Sequence, residues 1–198
     1  MAQLDISLDA YNELINALYE ASADTSSSSW NIPLKLIQSI LQANYVTLIL
    51  KVPEEDDLGL MIAVGEGLEE GDTVQHLPYQ YKLTPFADQP LDTVLTVADF
   101  MDENEWKNSS YREHWCEKNN IYHVLTADIS TPNVGHLRFR VTRTDAQEDF
   151  SPADKAFVEL LIPHFRRAIS TFLQLYSSAS LGSLYSRAIG RLSIATIT

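Results

Sequence analysis

With 198 residues, 45% of them hydrophobic, the chain can build one sizeable core plus an appendage and is short for two full domains. It has no apolar run of the roughly 18 residues a membrane span needs, no basic and apolar leader at Met1-Ala2-Gln3-Leu4-Asp5, and one cysteine, Cys116, so a soluble cytoplasmic protein without a disulfide, metal or other cofactor is expected. The net charge of −13 is uneven, with 9 Lys/Arg against 25 Asp/Glu over residues 1–150 and 5 against 2 beyond, which argues against phosphate-backbone binding by this segment.

Behind Ser7, a good N-cap, Leu8, Tyr11, Ile15, Leu18 and Ser22 recur at three- and four-residue spacing and predict an amphipathic helix over 7–22. The four serines Ser26–Ser29 read as a linker. Pro33 then fits the first turn of a second helix, ending near Asn44. Tyr45–Val52 and Leu58–Val64 read as adjacent strands around the acidic loop Glu54-Glu55-Asp56-Asp57. Pro78, Pro85 and Pro90 mark an irregular segment before a short strand over Thr93–Val97.

Two short helices, Glu103–Lys107 and Ser110–Lys118, precede strands over Tyr122–Ile129 and His136–Thr144, with Pro132-Asn133-Val134-Gly135 as their turn. Ser151-Pro152-Ala153-Asp154 encodes a strong helix start. In that helix Leu161, Phe165, Ala168, Phe172, Leu175 and Ala179 follow the 3.5-residue period of a helix–helix seam, and Pro163 predicts a kink near Glu159 and Leu160. The seam is open to two readings, packing within the domain or coiling against a second copy. The final run Leu192–Thr198 reads as a strand opening a following domain.

A catalytic reading needs an activated nucleophile or an acid–base pair. His114 and Cys116, two apart, point about 200° apart on a helix and cannot pair. The acidic runs lack calcium-loop spacing, and Gly65-Glu66-Gly67 lacks the third glycine of a dinucleotide fingerprint. No enzyme is expected.

The element order, with Tyr79-x-Tyr81, Pro85-Phe86, Val94-Leu95-Thr96, Trp106, Ser110-Tyr111-Arg112-Glu113, His123-Val124-Leu125, Phe150-Ser151-x-x-Asp154 and Leu160 through Ala168, resembles the GAF/PAS class of sensor domains. It is similar in particular to the N-terminal regions of LuxR-type helix-turn-helix transcription regulators, over half to two-thirds of the chain. The resemblance implies an α+β fold, a GAF/PAS-like antiparallel sheet flanked by N-terminal helices and a long C-terminal helix. It implies a sensor domain over residues 1–176, with 177–198 a signalling helix and the first strand of a truncated following domain. No helix-turn-helix is recognisable here, so DNA is a partner only through an output domain absent from this chain.

Aromatic residues crowd the segment that crosses the sheet in such folds, and apolar walls with a few polar groups suit a small ligand. The candidate pocket is Tyr79, Tyr81, Phe86, Trp106, Tyr111 and Trp115, with His123 and Arg138 as polar anchors. The same rings could instead plug the core, and Arg138 and Arg140, sharing a face, could both be solvated. The expected function is small-molecule sensing by a homodimer joined through its C-terminal helix, with no membrane partner. The alternatives are a ligand-free dimerisation module and a small thiol-dependent enzyme using Cys116.

Overall fold

The computed structural model describes residues 6–51, 60–65, 85–86, 89–131 and 135–195. Helix α1 spans Leu8–Ala23, started by the Ser7 hydroxyl, which accepts from the Ala10 N–H at 3.1 Å. The four serines are no loose linker. The Asp24 carboxylate accepts from the Ser26 N–H and the Ser29 hydroxyl, and the Ser26 hydroxyl accepts from the Ser28 N–H. These short polar side chains cap a 3₁₀ turn, Ser27–Trp30, which runs straight into α2, Asn31–Ile40.

Strands β1 (Tyr45–Lys51), β2 (Leu60–Gly65), β3 (Val94–Thr96), β4 (His123–Thr131) and β5 (Gly135–Arg143) form one sheet in the order β2-β1-β5-β4-β3, with every neighbouring pair antiparallel. The chain therefore leaves β2 at one edge and re-enters the sheet as β3 at the other. Between β3 and β4 lie α3 (Glu103–Lys107) and a π-helical turn, Arg112–Cys116, where the sequence predicts an ordinary α-helix. Asn120, in the left-handed region at φ +52°, turns the chain back toward β4.

Strand alternation divides the sheet into two faces. On one, Val46, Leu48, Leu125, Phe139 and Val141 pack against Leu14, Leu18, Leu34 and the long helix α4, Pro152–Ala195. Phe139 meets Phe165 at 5.0 Å between centroids, and Trp30 meets Phe172 edge-on at 5.7 Å. Large aromatic pairs of this kind add about 0.5–1.5 kcal/mol to the burial itself.

Helix α4 opens on a reciprocal cap: the Ser151 hydroxyl accepts from the Asp154 N–H, and the Asp154 carboxylate accepts from the Ser151 N–H. Leu161, Phe165, Ala168 and Phe172 of the predicted seam are buried, so that stretch packs within the domain, and Leu175 emerges at 40% exposure. Pro163 lies inside the helix on its exposed side, where water can serve the carbonyl it leaves unbonded. Residues 192–195 are helical rather than the start of a strand. Extending an existing helix adds one hydrogen bond per residue, which outweighs the modest β-preference of a residue such as Ile194.

Helices α1 and α4 are joined by a polar clasp. The Tyr11 hydroxyl lies 3.4 Å from His164 Nε2 and the Tyr19 hydroxyl 3.1 Å from Nδ1. Burial, and secondarily Arg167, holds His164 below its ordinary value. The unfolded chain then binds more protons as the pH falls below about 6.5, so this contribution to stability is complete above that value and declines beneath it. Urea midpoints measured from pH 7.5 down to 5 should fall for the wild type, and His164→Gln should flatten the fall over this window.

Candidate outer-face site

The second sheet face carries no helix of the α1, α2, α4 layer. Alternation places Thr47 and Ile49 of β1, Thr126 and Asp128 of β4, and Arg138 and Arg140 of β5 there. The register sets Asp128 opposite Arg138 and Thr126 opposite Arg140. Arg140 Nη1 donates to Asp128 Oδ1 at 2.7 Å, and Arg138 Nε lies 3.7 Å from Oδ2. The three side chains are only 6% (Asp128), 17% (Arg138) and 12% (Arg140) exposed. Burial draws Arg140 below the usual arginine value while Asp128 pulls the other way, and a guanidinium stays charged in such a site.

Above this trio lies an aromatic cluster. The Arg140 guanidinium is 5.3 Å from the Phe86 ring centroid, a cation–π distance. Phe86 meets Phe100 at 5.7 Å, Tyr111 at 5.8 Å and Trp106 at 6.4 Å. Val97, Cys116 and Val124 complete the buried part of the cluster, and Trp115 packs on its margin. Trp106 Nε1 donates to the Tyr122 carbonyl at 3.1 Å, which fixes the indole above the start of β4.

Of the pocket residues read from the sequence, Phe86, Trp106, Tyr111 and Trp115 come together in this cluster, and Arg138 joins it through Asp128 and Arg140. Tyr79 and Tyr81 lie outside the described residues. His123 has the strand parity of the opposite face and approaches Asp149 at 3.4 Å, away from the arginines. Asp128 escaped the sequence reading. Its signal was a lone acid at the outward position of an apolar strand, Ala127-Asp128-Ile129, which gains meaning only once register pairs it with Arg138.

Cys116 is fully buried, and burial pushes its thiol up to about 12, with Glu117 adding to the shift and Arg112 opposing it. Among the described residues no histidine lies within hydrogen-bond reach of its sulfur, and no cluster of side chains suits a metal ion. A thiolate nucleophile is therefore not on offer at neutral pH. Alkylation of the native chain at pH 7.5 should proceed at the pace of unfolding and become fast in urea. Prompt labelling of the folded chain would contradict this burial.

Among the described residues no helix is long and apolar enough to cross a membrane. No family profile matches the sequence, and no curated protein matches it either. Solved structures do. The VqsR LBD domain from Pseudomonas aeruginosa is similar at 16% identity, with 84% of this chain and 94% of that chain covered and a TM-score of 0.50. Escherichia coli SdiA is similar at 13% identity, with 84% and 69% covered and a TM-score of 0.52. The PixJ GAF-domain of Thermosynechococcus elongatus, in its blue-light absorbing form, matches at 8% identity, with 91% and 98% covered and a TM-score of 0.48. The fold class expected from the sequence, an α+β antiparallel sheet with N-terminal helices and a long C-terminal helix, is the one present.

Proposed function

We propose that this chain is a small-molecule-sensing regulatory domain whose ligand is held between the outer sheet face and the aromatic cluster around Phe86. The carrying observation is the buried Arg138–Asp128–Arg140 trio on the face opposite the helical layer. A buried ion cluster is weak as a stabilising device, since apolar residues of like volume do as well or better. Apolar walls with a few fixed polar groups are what a ligand site uses. The structural likeness to SdiA and to a domain designated LBD in VqsR supports the reading. We further infer a parent of the LuxR type, in which ligand state passes through α4 to a helix-turn-helix output region, with α4 also joining two copies. Residues 177–198 then serve as the signalling segment, and DNA is met only by the output region.

Native mass spectrometry of the purified chain against its denatured mass tests this. A non-covalent adduct of roughly drug-like size, a few hundred daltons, that is lost in Arg138→Met is expected. A bare chain whose melting temperature no metabolite shifts would favour the second reading, a dimerisation module with a plugged face. The tight burial of Phe86 and Trp106 is the observation on that side.

A further inference from the structure

We propose that Asp92 is the joint through which the outer face acts on α4, an inference that rests on the small-molecule reading above. Asp128 belongs to both ends of this connection. Its carboxylate faces the arginines, while its own carbonyl accepts from the Asp92 N–H at 2.7 Å. The Asp92 carboxylate accepts from the Ser130 N–H at 3.0 Å, from the Ser130 hydroxyl at 2.7 Å and from Arg166 Nη2 at 2.7 Å. Arg166, on α4, donates through Nε to the Ser130 carbonyl at 3.0 Å. Four groups thus close a ring that ties the edge of β4 to the output helix.

The ring has the parts of a pivot. Asp92 holds φ +60°, in the left-handed region that aspartate tolerates better than most residues, so its orientation is set by these bonds rather than by a preferred backbone well. Both Asp92 and Arg166 are about a third exposed, so the ring can re-form without repacking the core. Beyond Arg166 the helix runs another 29 residues, about 44 Å, so a small tilt at the ring is amplified at its far end. A ligand that draws Arg138 or Arg140 away from Asp128 shifts the strand segment 128–130, and the ring converts that shift into a force on α4.

The test is a double-mutant cycle read by amide hydrogen exchange, with no ligand added. Arg138→Gln perturbs the outer face, Asp92→Gly removes the carboxylate that closes the ring at a φ glycine adopts freely, and the α4 amides 160–175 are read against those of α2, which report global opening. Arg138→Gln should speed exchange in 160–175 about fivefold relative to α2, and less than about twofold in the Asp92→Gly background. Asp128→Asn supplies the same cycle if Arg138→Gln fails to fold. An equal change in both backgrounds, or none in either, overturns the proposal. Because no ligand takes part, that failure is separate from a missing adduct in native mass spectrometry, which would remove the small-molecule reading instead.

Discussion

Asp128→Ala is expected to lower the unfolding free energy by about 3–5 kcal/mol, because it leaves two guanidinium groups on a mostly buried face with their shared carboxylate gone. The Coulomb attraction lost is only part of this cost. The desolvation already imposed on Arg138 and Arg140 remains and is no longer offset by the Asp128 carboxylate, while Arg140 keeps its bond to the Phe139 carbonyl. Replacing the whole trio by apolar residues, Asp128→Leu with Arg138→Met and Arg140→Met, removes the charges together and should recover most of the loss. Urea denaturation of the two variants decides the matter. If the single change costs less than about 1 kcal/mol, the trio is effectively solvated and the surface-pair range applies instead. If the triple variant equals or exceeds the wild type, the trio is retained for something other than stability, which is the premise of a binding site.

The elements with a clean period were legible in the sequence. Leu18 and Ser22 of α1, the alternation of Leu137, Phe139 and Val141, and the Ser151-Pro152 start of α4 each carry a local pattern that packing satisfies, although the buried stripe of α1 turns toward Leu14 and leaves Leu8 exposed. Two misreadings have local causes. The serines before Trp30 look like a flexible tract until Asp24 and Ser26 are seen to cap them, and Leu192–Ala195 look like a strand unless the helix behind them is already formed. The candidate site was half legible. Alternation put Arg138 and Arg140 on one face, but whether that face is wet or buried depends on which strand pairs with β5 and on what lies above it. Neither fact is written in the residues themselves: Asp128 is ten residues from Arg138 and Phe86 is 54 from Arg140, and only the fold joins them. His123 shows the converse, since a histidine two residues before Leu125 has the parity of the helix-side face whatever chemistry it could offer.

Arg143→Met should cost about 2–4 kcal/mol, and Arg143→Lys should restore little of it. Arg143, 11% exposed at the end of β5, donates to the Leu41 carbonyl through Nε at 3.0 Å and Nη2 at 2.6 Å. Its Nη1 lies 3.2–3.4 Å from the Glu148 and Asp149 carbonyls and from the Asp154 carboxylate. The guanidinium also stacks 4.3 Å from the Phe150 ring centroid. One planar group thereby joins the end of α2, the loop after β5 and the first turn of α4, and it supplies a cation to the carboxylate that caps that turn. An ammonium is a single point and cannot serve the α2 carbonyl and the Asp154 side chain at once, whereas a thioether leaves the Leu41 carbonyl without its donor and Asp154 with its Ser151 bonds but no cation. Denaturation midpoints together with exchange of the 152–158 amides separate these effects. Loss confined to the first turn of α4 would make Arg143 a cap, and loss spread over α2 as well would make it the hinge pin about which α4 is fixed. Lysine within about 0.5 kcal/mol of the wild type would show that charge alone suffices and that the fork geometry is incidental. If the hinge-pin outcome holds, α4 is anchored at its start by Arg143 and guided a few turns later by Arg166, so motion imposed at Asp92 has a fixed end to turn against.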